Sequence, residues 1–155
     1  MKQLELRRHA RRDPSADRLA PEGRAQAEDV GRSSGRTYDL VFVSPAERAA
    51  ETAAWFLRGA GQQLPEHAVI GGLAGRDASG GSPEGMAAGV RALLDQLPHE
   101  GTGLAISHTP LVERAAFGLT GVEVDPFAEC EGILVSQDEA GTISVEELRL
   151  GTPAG

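Results

Sequence analysis

Short apolar or alternating runs interleave along the chain with longer segments that carry helix-start and helix-stop residues. KQLEL (2–6) alternates, with Leu4 and Leu6 on one face, and reads as a short strand. YDLVFV (38–43) is the clearest strand, apolar, β-branched and bounded by turn residues. HAVIGGL (67–73) suggests another short strand, and GTGLAISH (101–108) a buried one. GILVSQDEAGTISVEEL (132–148) alternates around a Glu-Ala-Gly turn and reads as a terminal β-hairpin. Between these runs lie four helices. The first opens at Pro21 and Glu22 and ends in the Ser/Gly cluster at 33–35. The second is expected to have Ser44 as N-cap and Pro45 at its first position, with Ala53, Trp55, Phe56 and Leu57 as apolar bulk and Gly59 and Gly61 at its end. A glycine-rich loop (74–85) leads into the third, opened by Ser82-Pro83-Glu84, which also accounts for Glu84. The fourth is expected to have Thr109 as cap and Pro110 at its first position. Strands alternating with helices predict a three-layer α/β/α fold with a mostly parallel central sheet, the hairpin adding antiparallel strands at an edge.

Composition narrows the class. At 155 residues, 40% apolar and 25% charged, the chain is expected to form one globular domain over 1–150, with 151–155 a loose tail. The start MKQLEL has neither a long apolar run nor a cleavage pattern, so no signal peptide is expected, and no later run is long enough to span a membrane. Cys130 is the only cysteine, is read as structural, and fits a reducing cytoplasm without disulfide or thiolate metal cluster. The four histidines lack the close pairing of zinc motifs, so no metal and no cofactor are expected. Net charge is −8, which argues against nucleic-acid and membrane-surface roles. The distribution is uneven. Residues 1–36 hold nine basic and six acidic side chains, and the remainder six basic and seventeen acidic. The basic excess points to a small anionic target. Fourteen of the fifteen basic residues are arginine, suited to bidentate phosphate contact, although an arginine-biased genome explains that count equally well.

Three strands each end in a polar signal: Arg8-His9, Ser44-Pro45 and His108-Thr109-Pro110. Ligands of open parallel α/β sheets bind outside the carboxyl ends of strands, so these segments are expected to meet in space. The second and third share one design of strand, hydroxyl, proline and helix, which aims positive helix ends at an anion. Arg48 lies in a first helical turn, where a cation opposes the dipole unless a bound phosphate or a neighbouring Glu47 or Glu51 compensates it.

LRRHARRD, SPAERAAETA and ISHTPLV resemble, in order and spacing, the motifs of the histidine phosphatase superfamily, the phosphoglycerate-mutase-like fold. Arg-His-Ala at 8–10, DRLAPEGRAQA and PFAECEGILVSQDEAG are most similar to its small SixA-type phosphohistidine phosphatases, and the resemblance spans nearly the whole chain. It implies His9 as the nucleophile that becomes phosphorylated, with Arg8, Arg48 and His108 holding the phosphoryl oxygens. The two expected caps, Ser44 and Thr109, complete the anion site. Neighbouring cations disfavour imidazolium, keeping His9 neutral and nucleophilic.

Larger members carry a glutamate that protonates the leaving group. Gly75 stands near that place here, and the nearest carboxylate is Asp77, read either as a displaced general acid or as a turn residue beside glycines. Only 59 residues separate Arg48 from His108, leaving little room for a lid, so an open pocket is expected. Arg7, Arg11 and Arg12 either line its mouth or are solvated. The function implied is a phosphatase acting on phosphohistidine in a protein. The alternatives are a phosphatase or mutase of small phosphate esters, and a non-catalytic relative that binds phosphorylated partners. Oligomeric state is not legible.

Overall fold

The computed structural model describes residues 1–66, 68–76 and 80–151. Strands β1 (Lys2–Arg8), β2 (Leu40–Val43), β3 (Thr102–Ser107), β4 (Gly132–Gln137) and β5 (Ile143–Leu148) form one sheet in the order β2-β3-β1-β4-β5. β2, β3 and β1 pair in parallel, with Arg8 opposite Ser107 and Val43 opposite Ile106. β4 runs against β1, and β5 against β4, so only β4 opposes the common direction. The expected α/β architecture with its edge hairpin is present. Asp138 closes the hairpin by accepting from the N–H groups of Ala140 and Thr142, and Gly141 supplies the positive φ.

Helices α1 (Pro21–Ser34) and α2 (Glu47–Gly59) pack together on one face, and α3 (Pro83–Gln96) and α4 (Leu111–Thr120) on the other. Strand alternation sorts the core into two layers. Leu4, Leu6, Phe42, Ala105 and Ile133 face α3 and α4, and Val41, Val43, Leu104 and Ile106 face α2. α1 and α2 touch so closely that a Cβ on Gly31 would stand 1.9 Å from the Phe56 carbonyl oxygen. No helix among the described residues is long and apolar enough to cross a membrane.

Three local expectations are corrected. Among the described residues of HAVIGGL there is no strand: Val69 makes a single parallel bridge to Val43, and Gly71–Ala74 is a 3-10 turn. α2 begins at Glu47 with Ala46 at the N-cap, not at Pro45 behind a Ser44 cap. α4 begins at Leu111 with Pro110, not Thr109, at its N-cap. The sheet is covered on both sides, so the polar alternates of β1 are at least partly buried. Glu5 is fully buried and accepts from Arg7 Nε (2.5 Å), Arg36 Nη1 (2.9 Å) and Tyr38 Oη (2.9 Å). Losing one partner of such a pair costs about 3–5 kcal/mol. The cap Ser82, by contrast, is as expected, accepting from Gly85 N–H at 3.1 Å.

Candidate active site

After β1 the chain passes to α1 on one face of the sheet, and after the adjacent β3 it passes to α4 on the other. The two connections part at the carboxyl ends of neighbouring parallel strands, which opens a crevice there. Arg8, His9 and His108 stand at that crevice, and α2 brings Arg48 to it. His9 N–H donates to the Ser107 carbonyl (3.0 Å), and the His9 and His108 ring centroids are 5.3 Å apart. A cavity of about 350 Å³ is lined by Arg8, His9, Arg11, Arg12, Pro14, Arg48, His108, Thr109 and Glu129.

Hydrogen bonding fixes the state of both rings. His9 Nδ1 lies 2.7 Å from the Ala10 carbonyl oxygen, which only accepts, so Nδ1 carries the proton. Nε2 faces Arg48 Nε at 3.4 Å, and a guanidinium only donates, so Nε2 keeps its lone pair. His108 is oriented the other way round. Its Nδ1 faces Arg48 Nη2 at 3.4 Å, and its Nε2–H donates to Ser44 Oγ at 2.6 Å. Burial is the largest influence holding His9 below the usual histidine pKa, opposed by the Ala10 bond and reinforced by the charges of Arg48, Arg8 and Arg12. Burial, then the charge of Arg48, lowers His108 to about 4. The arginines around His9 therefore favour the neutral ring, but burial leads.

Arg48 is held by a residue that sequence reading missed. Asp17, in the loop after β1, accepts from Arg48 Nη1 (2.9 Å) and from the backbone N–H groups of Glu47 (3.0 Å) and Arg48 (3.2 Å). It caps α2 and supplies the charge that offsets an arginine in the first turn. Desolvation pushes the Asp17 pKa up, but the bonds from Arg48 and Glu47 outweigh it and leave the carboxyl below its ordinary value. Glu51 pairs with Arg24 instead. No local signal marks Asp17, because its partners lie thirty and thirty-one positions away. Thr52, also missed, accepts from Ala10 N–H (2.9 Å) and donates to the Arg48 carbonyl (2.7 Å), fastening the turn after His9 to the turn bearing Arg48.

The remaining expectations divide. Ser44 is fully buried, and its hydroxyl accepts from His108 Nε2–H and so supports the imidazole. Thr109 reaches the cavity wall, but its hydroxyl donates to Glu113. Arg8 Nη1 donates to the Phe127 carbonyl (2.8 Å), and its Nε is buried with no partner. Such a donor fits an anion. Arg7 leaves the site altogether and is buried against Glu5, the Cys130 carbonyl and the Phe56 ring. Glu129 lines the cavity 3.9 Å from Arg8 Nη1, another residue that went unnoticed in the sequence. Asp77 lies outside the described residues. Cys130 is buried, which pushes its thiol up to about 12. Among the described residues, a group able to hold a metal is the exposed trio His99, Glu100 and Glu139. With Met1 and Lys2 it lines a different hollow, at the amino end of β1.

Two neutral histidines make stability depend on acid. Unfolded histidine protonates near pH 6.5, whereas folded His108 resists until about 4. Between those values the unfolded chain binds more protons, so stability is full above about pH 6.5 and declines as pH falls toward 4. Thermal melts across this range are expected to show that slope, and His108→Gln to flatten its share of it. An identical slope in the variant would contradict a neutral, buried His108.

A model of the histidine phosphatase superfamily (branch 1) matches residues 3–99. No curated protein matches the chain. Among solved structures, the protein histidine phosphatase SixA complexed with tungstate superposes with TM-score 0.73 at 24% identity, covering 95% of this chain and 96% of that one. Phosphoserine phosphatase from Entamoeba histolytica in complex with 3-phosphoglyceric acid gives 0.76 at 16% identity, over 97% and 98%. A mycobacterial glucosyl-3-phosphoglycerate phosphatase gives 0.70 at 17%, over 96% and 98%.

Proposed function

Because the chain belongs to the histidine phosphatase superfamily, we propose that it removes a phosphoryl group through a covalent phosphohistidine on Nε2 of His9, acting without a metal, and that its substrate is phosphohistidine in a protein. The observation that carries this reading is the lone pair of Nε2, fixed by the Nδ1–H bond to Ala10 and facing the guanidinium of Arg48. In the first step this lone pair attacks phosphorus, and the bond to the leaving group breaks with its electrons passing to that group. The Ala10 carbonyl steadies the positive charge that then spreads over the His9 ring. In the second step water attacks the phosphoryl group, the P–Nε2 bond breaks, and its electron pair returns to His9, releasing orthophosphate. Arg8 and Arg48 stabilise the equatorial oxygens throughout, where positioning and electrostatics provide most of the catalysis. His108 presents an unprotonated Nδ1 in the free site, which accepts a hydrogen bond from the proton that a singly protonated phosphoryl group brings with it.

A second reading, hydrolysis of small phosphate esters, is favoured by Glu129 on the cavity wall and by the ester phosphatases among the structural neighbours. Both readings require an oxyanion site between Arg8, Arg48, His9 and His108. Vanadate or phosphate is expected to inhibit competitively and, at a hundred times its Kd, to stabilise by about 2.7 kcal/mol, a rise in Tm of roughly 5–10 °C. Arg48→Ala is expected to remove most of that shift. A crystal with the anion elsewhere and Arg48 turned to solvent would overturn the site.

A further inference from the structure

The cavity wall carries more positive charge than one phosphoryl group calls for. Four arginines line it, Arg8, Arg11, Arg12 and Arg48, against one carboxylate, Glu129. Arg8 and Arg48 are accounted for by the oxyanion site. Arg11 and Arg12 are not, and both are exposed at the mouth.

The loop that bears them is well fastened. Arg12 bridges Leu19, Ala20 N–H donates to the Arg11 carbonyl (3.0 Å), and Asp13 N–H donates to the Arg18 carbonyl (2.7 Å). Helix α1 presses on it so closely that a Cβ at Gly23 would stand 2.1 Å from the Arg11 carbonyl oxygen. The carboxylates near the mouth are already matched to other arginines: Asp13 to Arg18, Asp17 to Arg48 and Glu129 to Arg8. Among the described residues Arg12 donates only to backbone carbonyls, those of Asp13 (3.3 Å) and Ala16 (3.2 Å), which leave its charge uncompensated. Among the described residues neither Arg11 nor Arg12 forms an ion pair, in a chain with 23 carboxylates and a net charge of −8.

We infer that Arg11 and Arg12 form a second anion subsite at the mouth, which engages acidic residues flanking the phosphorylated residue of a partner protein. The inference rests on the phosphatase reading above. A net charge of −8 opposes an acidic partner over the molecule as a whole, whereas the two arginines without ion pairs at this mouth attract one, so the charge pattern favours an encounter there.

The test measures KM on the full-length protein for phosphohistidine peptides matched except for their flanks, Asp/Glu in one and Ala in the other. p-Nitrophenyl phosphate serves as a flankless reference, and a small bisphosphate as a further arm. At low ionic strength the acidic peptide is expected to have a KM roughly tenfold below the neutral one, since two exposed ion contacts act together. The ratio is expected to shrink in high salt and to fall to within about twofold in Arg11→Gln/Arg12→Gln. Equal KM values in the wild type, with p-nitrophenyl phosphate hydrolysed, overturn the subsite. A gain for the bisphosphate but not for the acidic peptide overturns the protein partner. Failure to hydrolyse any of these compounds overturns the phosphatase reading itself, a different result from either.

Discussion

His9→Ala is expected to lose the covalent phosphoenzyme and, with it, roughly 10⁴-fold or more of turnover. In the wild type, acid-free quenching during turnover of a labelled substrate is expected to trap phosphate that is acid-labile and base-stable, as a phosphoramidate is. The variant removes the atom that forms the bond, while little of the fold depends on the side chain. Its side-chain hydrogen bonds are to the Ala10 carbonyl and Arg48, its ring packs edge-on against His108, and the backbone bond from His9 N–H to Ser107 is untouched by the substitution. Circular dichroism and vanadate binding are therefore expected to survive, with Arg8 and Arg48 still in place. Undiminished turnover in His9→Ala would rule out the covalent route. A wild type that binds vanadate but is never labelled would point instead to a phosphate-binding relative without catalysis.

The second large effect is expected between leaving groups. Expelling an alkoxide needs a proton donor, and a well-placed acid contributes ~10²–10⁴-fold. Asp17 does not fit that part, because its oxygens are taken by Arg48 and two backbone N–H groups, which hold the carboxyl below its ordinary value. A phosphohistidine leaves as imidazole, whose conjugate acid has a pKa of about 6.5, so its ring brings the proton with it near neutrality. Phosphohistidine peptide is therefore expected to exceed a simple alkyl phosphate in kcat/KM by roughly 10²-fold or more, with p-nitrophenyl phosphate between them. Glu129→Gln and Asp77→Asn are the discriminating variants. If alkyl phosphate equals phosphohistidine in the wild type, and one of these variants abolishes ester turnover alone, that carboxyl group is the acid and the ester reading replaces the phosphohistidine one.

The linear pattern was sufficient for five strands and four helices, though not for HAVIGGL or for two helix starts, and for the edge on which the polar strand ends would gather. Leu4, Leu6, Val41, Val43, Leu104 and Ile106 repeat at strand spacing and are all buried. Ser82 caps its helix because the cap and the N–H group that donates to it lie three residues apart. In both cases the determining interactions act within a turn, or along one face of one element. Arg8, His9 and His108 could be grouped for a similar reason: residues at the carboxyl ends of parallel strands share an edge whatever the strand order.

Tertiary packing decided what distant groups do to one another. β3 lies between β2 and β1, so His108 stands beside His9. Ser44 and Asp17 exchange the role expected of the first. A carboxylate thirty positions away caps α2, which leaves the serine hydroxyl to His108. Arg7 and Arg8 are neighbours in sequence, yet strand alternation buries Arg7 beneath α2 and turns Arg8 to the cavity, while Arg11 and Arg12 reach the mouth by way of a fastened loop. Glu5 is buried because both faces of its sheet are covered, and it then requires Arg7, Arg36 and Tyr38. Side-chain chemistry and local propensity are properties of the sequence. Burial and the pairing of charges across thirty or more residues arise only once the sheet is assembled, because desolvation is what makes a specific partner necessary.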